Sequence, residues 1–311
     1  KKALVLGASG GMGYAIVKEL VSRGDMEVVA FARTRSKLER LLGDQSRVTI
    51  VAGNVFNMEE LKAAAQGTDL IFHAVGLPYS AWEEKLPVLI DNVLAVAKEA
   101  KAKLVVVDNI YAYGRSGGEK VREDFPKRPH TKKGKIRLQL ENRIKTSGLP
   151  YLIAHFPDFY GPHAENTLLH QTFQRVILNR KTVFVGNPEI PREYLYTPDG
   201  AKALVELSLR DHAYGQNWNI PGAGVITGQE ILQILRRLGY QKGMTTITKF
   251  MVRLAGLFNK EMREYVEMFY LNEEPLVLSG EKLKKELGEI PQTPYEIGIR
   301  RTLEAMKAFS R

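Results

Sequence analysis

The segment Gly7-Ala8-Ser9-Gly10-Gly11-Met12-Gly13 constrains this chain more than any other stretch. It follows an apolar run, Ala3–Leu6, and opens an amphipathic stretch, Met12–Ser22. A strand, a glycine loop and a helix in that order form a cradle for a phosphate group. Glycine at 7 and 10 permits a tight turn and close backbone approach to a pyrophosphate, and glycine at 13 lets the helix pack against the strand. The unpaired N–H groups and the positive end of the helix dipole then face the anion. The spacing is Gly-x-x-Gly-x-x-Gly, a variant of the commoner Gly-x-Gly-x-x-Gly, and its context gives it weight.

The rest of the first half repeats that alternation. Apolar runs occur at Glu27–Phe31, Val48–Val51, Leu70–Phe72, Leu104–Val107 and Tyr151–Ala154. Between them lie amphipathic stretches at Lys37–Leu42, Met58–Ala65, Leu86–Ala100 and Ile136–Thr146. Runs without polar alternation fit strands buried on both faces, and strand–helix alternation implies a parallel sheet covered on both sides. The expected fold is α/β: a Rossmann-type doubly wound parallel sheet with a smaller, mainly helical C-terminal substrate cap. Residues 1–160 form the dinucleotide-binding domain and 161–311 the cap, with some cap segments returning to the first domain. In the second half helices are expected at Glu165–Asn179, Asp199–Leu209, Gly228–Leu238, Thr248–Phe258, Glu261–Tyr270, Glu281–Leu287 and Thr293–Ala308. Thr197 is placed as a helix N-cap with Pro198 at the first helical position. The stretch Tyr113–Lys132 reads as a long polar loop of the kind that is functional or mobile.

The second strand bears on the cofactor. It runs Val28-Val29-Ala30-Phe31-Ala32-Arg33-Thr34-Arg35-Ser36-Lys37. NAD binders usually close this strand with a carboxylate that accepts from the ribose 2′-hydroxyl. Here Ala32 holds that place and Arg33, Arg35 and Lys37 follow. Guanidinium groups can grip a 2′-phosphate that a carboxylate would repel. NADP(H) is therefore the expected cofactor and NAD(H) the less favoured one.

Composition narrows the rest. The chain has 311 residues, of which 44% are hydrophobic, enough for a sizeable core. It has no cysteine, which excludes disulfides, thiolate chemistry and cysteine-bound metals and makes a reducing cytoplasm the default expectation. No apolar run is long enough to span a bilayer, and Lys1–Gly7 reads as a strand, not a signal peptide. Lys and Arg number 45 against 35 Asp and Glu, giving a net charge of +10. Part of that excess lies between Arg115 and Lys145. No aromatic residues interleave with it in the manner of a nucleic-acid binder, so an anionic small molecule is the expected partner, with no nucleic acid and no membrane. A homodimer is left open.

By these residues the chain resembles the short-chain dehydrogenase/reductase superfamily, in its extended and atypical branches. Gly53-Asn54-Val55 resembles the family's adenine contact, with Asn54 in place of Asp. Phe72-His73-Ala74-Val75-Gly76 is similar to the segment that passes the cofactor. Phe159-Tyr160-Gly161-Pro162 and Glu193-Tyr194-Leu195-Tyr196-Thr197-Pro198-Asp199-Gly200-Ala201 resemble segments of nucleotide-sugar epimerases. The resemblance implies cofactor contacts at Gly7, Ser9, Gly10, Gly11, Met12, Gly13, Arg33, Arg35, Lys37, Asn54, Val55, Ala74, Val75, Gly76 and Phe156.

The family's catalytic positions are altered. Anchored on Tyr113-Gly114, the resemblance puts Asn109 where Ser or Thr belongs. Further on, Lys133 stands for the family's Tyr and Arg137 for its Lys. The same helix, Lys133, Lys135, Arg137 and Glu141 followed by Gly148-Leu149-Pro150-Tyr151, is similar to isoflavone reductase-like proteins. In those the first lysine transfers the proton, which implies that role for Lys133. Arg137, one turn on, is expected to lower the lysine pKa. Tyr111 and Tyr113, just past the fifth strand, are the other proton-donor candidates. His155, Asp158, Tyr160 and His163 lack metal-ligand spacing, so no metal is expected, and His155 is expected to be hydrogen bonded. Three functions remain. The first is an NADP(H)-dependent reductase or dehydrogenase acting on a small carbonyl, enone or benzylic substrate. The second is a nucleotide-sugar epimerase or dehydratase. The third is a non-catalytic NADP-binding redox sensor, resembling the nitrogen-metabolite-repressor-like branch.

Overall fold

A computed structural model describes all 311 residues. The first half alternates as expected: β1 (Lys2–Leu6), α1 (Gly11–Arg23), β2 (Glu27–Ala32), α2 (Arg35–Leu42), β3 (Val48–Ala52), α3 (Met58–Ala65), β4 (Leu70–His73), α4 (Trp82–Ala100), β5 (Lys103–Asp108), α5 (Lys132–Lys145) and β6 (Tyr151–His155). The second half is more mixed. It runs β7 (Asp158–Tyr160), α6 (Leu168–Ile177), β8 (Thr182–Val185), β9 (Arg192–Tyr196), α7 (Thr197–Ser208), β10 (Gln216–Asn219), β11 (Val225–Ile226), α8 (Gly228–Arg237) and β12 (Met244–Ile247). Five helices close the chain: α9 (Lys249–Ala255), α10 (Lys260–Tyr265), α11 (Tyr270–Glu273), α12 (Glu281–Leu287) and α13 (Tyr295–Phe309). No helix is long and apolar enough to cross a membrane.

The main sheet has seven parallel strands in the order β10-β6-β5-β4-β1-β2-β3. The order reverses between β1 and β4, and ligands of such sheets bind outside the carboxyl ends of the strands at that reversal. Strand alternation feeds two cores. Ala3 and Val5 of β1 face one, with Val28 and Ala30 of β2, while Leu4 and Leu6 face the other, with Val29 and Phe31. Both faces are covered, which is why these strands read as unbroken apolar runs. Helix α1 stops at Gly24, whose φ of 73° is the left-handed cap that the Arg23-Gly24 pair suggested.

The second half returns to the first at two places: β10 pairs with β6 at the sheet edge, and α7 packs along α1. Two small sheets, β11-β9-β7 and β12-β8, build the rest of the cap. Two sequence expectations are corrected here. Thr197 is the first residue of α7 and not its cap, since Tyr196 holds that position. The Thr197 hydroxyl is buried without a hydrogen bond, where a Cβ on Gly161 would lie 2.3 Å from it. The loop after Tyr113 is anchored. Val121 is fully buried, its N–H donates to Val277 O at 2.8 Å, and its carbonyl accepts from Ser279 N–H at 2.7 Å.

Candidate functional site

The glycine loop forms the cradle its spacing suggested. Gly7 has φ +83°, and a Cβ there would sit 2.4 Å from Ala74 O. A Cβ on Gly13 would sit 2.0 Å from Gly7 O, so this glycine sets how closely α1 approaches β1. Gly10 is different. It caps α1 in an extended conformation, is exposed, and a Cβ on it would meet only Gly7 O at 3.4 Å. The N-terminus of α1 has no side-chain cap and no acidic residue in its first turn. An uncapped helix start behind an open glycine fits a dinucleotide pyrophosphate. Ser9 lies half-buried in the same loop. Gly11 has a packing role, since a Cβ on it would meet Ala164 at 2.7 Å. Met12 and Phe156 are buried core residues, 4% and 0% exposed, so their side chains support the cradle from behind and do not line it.

At the end of β2, Ala32 is buried and Arg33 is exposed. The three expected cations are not equivalent. Arg35 faces Glu39 at 3.8 Å and Lys37 faces Glu165 at 3.2 Å, whereas Arg33 forms no ion pair. Beyond β3, the Asn54 Oδ1 accepts from Phe56 N–H at 2.9 Å while its N–H donates to Glu60 at 2.6 Å. This side-chain oxygen therefore shapes the turn, and the amide NH₂ is the group left for an adenine. Val55 is buried. Ala74 and Val75 are half-buried and Gly76 exposed, along the mouth of β4.

The carboxyl end of β5 gathers the altered catalytic positions. Asp108 is buried and accepts from Arg137 Nε at 2.8 Å and from Asn109 N–H at 2.7 Å. Asn109 Oδ1 accepts from Tyr111 N–H at 2.9 Å, an Asx-type turn that aims Tyr111. The Tyr111 and Tyr79 hydroxyls hydrogen bond to each other. Tyr113 is buried and its hydroxyl donates to Asn219 Oδ1 at 2.6 Å. Burial pushes all three phenols up from their ordinary range.

Lys133 is wholly buried. Its Nζ lies 2.6 Å from Glu264 and 3.3 Å from Glu267, and 5.2 Å above the Tyr79 ring. Arg137, expected as the neighbouring cation of the lysine, is engaged elsewhere. Its guanidinium is held by Asp108 and stacks 5.5 Å over Trp82. Lys133 instead faces two carboxylates from the chain around α10. His73, close by, is driven down to about 4 by burial and by the Arg137 charge, and is neutral.

Behind this lies a second buried network. His155 Nδ1 donates to Asn109 O at 2.8 Å, and its Nε2 faces Asn217 at 2.9 Å and Lys127 at 3.2 Å. Glu141 pairs with Lys127 and accepts from Asn217 at 2.7 Å. Asp108, Glu141 and His155 place ligand atoms within 4.8 Å of one another. Arg137 pairs with Asp108 and Lys127 with Glu141, so the cluster is a buried charge network with its carboxylates balanced by cations. Much of the basic stretch from Arg115 to Lys145 is likewise paired: Arg115 with Glu274, Arg122 with Glu281, Arg143 with Asp91.

Sequence reasoning missed Glu264 and Glu267, together with Tyr79 and Tyr265, whose rings stack at 6.3 Å. It also missed the pair of Arg192 with Asp158 at 2.6 Å and the bond from Asn272 to the Tyr265 hydroxyl at 2.7 Å. No motif marks these residues. Their partners lie more than a hundred positions away in the chain for Glu264 and Glu267.

Comparison with known proteins agrees with this geometry. The family model described as NAD(P)H-binding matches residues 7–186. The dTDP-glucose 4,6-dehydratase of Escherichia coli is 24% identical over 166 residues, covering 51% of this chain and 42% of the dehydratase. The 2-alkyl-3-oxoalkanoate reductase of Shewanella oneidensis is 37% identical over 95 residues, covering 30% of this chain and 23% of the reductase. The chain thus spans less than half the length of either relative. Among solved structures, the UDP-glucuronic acid 4-epimerase of Bacillus cereus in complex with NAD superposes with a TM-score of 0.80 at 16% identity, covering all of both chains. The dTDP-glucose 4,6-dehydratase of Bacillus anthracis in complex with NAD gives 0.81 at 18% identity, covering 99% of this chain and 96% of that one. The chain belongs to the NAD(P)H-binding family and has the fold of the extended short-chain dehydrogenases/reductases.

Proposed function

We propose that the protein is an NADP(H)-dependent oxidoreductase acting on a small carbonyl, enone or benzylic substrate, with Lys133 as its proton-transfer residue. The observation that carries this reading is Lys133 itself: a fully buried cation beyond the carboxyl edge of the sheet, with Glu264 2.6 Å away. The nicotinamide, when bound, supplies or accepts the hydride. In the reducing direction Nζ gives a proton to the substrate oxygen as negative charge develops there, and Glu264 steadies the lysine and relays the replacement proton. Asn109 and Arg137 act at one remove, by aiming Tyr111 and by neutralising Asp108. The unpaired Arg33 guanidinium supports NADP(H) over NAD(H), as it is free to meet a 2′-phosphate.

A second reading, a non-catalytic NADP-binding sensor, is favoured by one observation. Lys133 is held by two carboxylates with no exposed surface, so a substrate reaches it only if the segment bearing Glu264 and Glu267 moves. The epimerase or dehydratase reading has the whole-chain superpositions in its favour. Against it stand Lys133 and Arg137, in place of the tyrosine and lysine that such chemistry uses in the family. The deciding experiment follows NADPH absorbance across a panel of carbonyl and enone compounds, with wild type and Lys133→Met. The expected result is turnover by wild type and a loss of roughly 10²–10⁴-fold in the variant at unchanged NADPH affinity. Normal turnover by Lys133→Met, or loss in Tyr111→Phe or Tyr113→Phe alone, removes the lysine from the mechanism. Failure of every compound to oxidise NADPH, with binding intact, selects the sensor.

A further inference from the structure

The helical hairpin α9–α10 turns its apolar face away from the protein. Phe250, Met251, Leu254, Leu257 and Phe258 are all exposed, Phe258 at 93%. They fall at positions i, i+1, i+4, i+7 and i+8, a single face of a helix carried through the turn at Gly256. Within α9 Val252 points inward, where it packs with Val185 and Phe269, and Met262 and Tyr265 of α10 pack against the same cluster. A soluble helix of this size ordinarily buries its apolar stripe, and isolated exposed apolar residues need no explanation, but five on one face do.

Charge says what covers this face. Residues 248–260 contain no acid and three cations, Lys249, Arg253 and Lys260, none of them in an ion pair; Arg253 and Lys260 are exposed beside the apolar residues. The hairpin's acids are turned the other way. Glu261 accepts from Ser80 N–H at 3.0 Å, and Glu264 and Glu267 clasp Lys133. One side of the hairpin therefore binds the protein through carboxylates and the other presents aromatic and aliphatic side chains rimmed by free cations. That is the composition of a helix lying in the headgroup layer of an anionic bilayer, apolar face down and cations among the phosphates. A second copy of the chain is a poor occupant, because a two-fold contact would bring like cations together.

We propose that the outer face of α9–α10 docks the protein on an anionic phospholipid surface. The docking is peripheral. It differs from the expectation of no membrane contact, which rested on the missing spanning segment and not on the direction in which this helix faces. The hairpin is also the segment whose inner side covers Lys133, so the docked surface lies one helical layer from the candidate site. The net charge of +10 adds a long-range attraction to the same surface.

The test is flotation of the full chain with two sets of extruded vesicles, phosphatidylcholine alone and phosphatidylcholine with about one-third phosphatidylglycerol. The expected result is binding to the anionic vesicles at least about tenfold tighter than to the neutral ones, weakened by salt. The double variant Leu254→Asp, Phe258→Asp should lose this binding while its thermal melt and circular dichroism stay as in wild type. Arg253→Glu with Lys260→Glu should reduce it to the level seen on neutral vesicles. The proposal fails if wild type floats with neither vesicle, or if the Asp variant binds as wild type does. It also fails if sedimentation equilibrium shows a dimer that Phe258→Asp dissociates while vesicles leave the protein behind.

Discussion

Arg33 and Gly10 are the two residues at which a single side chain should change cofactor binding without disturbing the fold. Arg33 is exposed and unpaired, so Arg33→Asp should cost little stability, within about 0.5 kcal/mol. A carboxylate there repels a 2′-phosphate and accepts from a free ribose hydroxyl, so the variant should prefer NADH. Wild type should bind NADPH at least about tenfold tighter than NADH, roughly 1.4 kcal/mol, measurable by calorimetry. Equal affinities in wild type would end the argument. Gly10→Val should remain folded, because φ is −83° and the new Cβ meets nothing closer than 3.4 Å. Its side chain would stand where a pyrophosphate must come, and NADPH titration should show no binding. Gly13→Ala should behave in the opposite way and lower the melting temperature, since its Cβ would be 2.0 Å from a backbone oxygen. The glycine loop could be read from sequence because the chemistry is in the backbone, and only glycine permits it. The surroundings of Lys133 could not. What decides the state of that side chain is Glu264 and Glu267, which come to it only through the fold. The same limit applies to Phe156 and Met12, whose side chains are buried in the core.

At the scale of elements, the strands of the large sheet were visible because both of their faces are covered, leaving runs such as Leu104–Val107 with no polar alternation. The small strands of the cap lacked that signal. β9 is Arg-Glu-Tyr-Leu-Tyr and is buried along its whole length, though it opens with two charged residues. Arg192 is paired to Asp158, and Glu193 accepts from Leu278 N–H at 3.1 Å, so polar residues inside this strand are satisfied by contacts no local pattern reveals. Glu193 gives this a consequence in pH. Burial pushes its carboxyl up to about 7, against the opposing effect of the hydrogen bonds from Leu278 and Gly222 N–H. The unfolded chain releases the proton near pH 4.5, so between there and about pH 7 the folded form holds a proton that the unfolded form has lost. Stability from this group is complete below pH 4 and falls as pH rises through that window, by on the order of 3 kcal/mol. Glu193→Gln keeps the acceptor and does not titrate. Its stability relative to wild type should therefore grow between pH 5 and pH 8 in denaturant melts, and parallel profiles would show that Glu193 is not protonated in the fold.

The whole molecule is less divisible than its two-part organisation implies. The chain leaves the dinucleotide-binding half after β6 and comes back to complete it. One large core contains 31 buried residues. Leu195, Ala201, Ala203, Leu204, Val205, Leu207, Ala213, Trp218, Ile220 and Leu283 come from beyond residue 160. Removing them would uncover the α1 face of the sheet and leave the β6 edge unpaired, since β10 pairs with it over four residues, Gln216 to Asn219. Losing burial at about 2 kcal/mol for each of the larger side chains amounts to on the order of 10 kcal/mol. That is comparable with the entire stability of an ordinary domain. The exposed edge and apolar face would also favour association between copies. A chain ending at residue 160 should therefore fail to fold as a monomer and should not bind NADPH, even though it holds every residue of the cradle. The complete chain should melt in one cooperative transition, with calorimetric and van't Hoff enthalpies equal. A soluble, NADPH-binding fragment, or two separate transitions in the whole chain, would mean that α7 and β10 are attached to a domain already stable without them. The expected outcome puts the cofactor site and the cap under a single folding equilibrium, in which NADPH bound at the cradle raises the melting temperature of the cap as well.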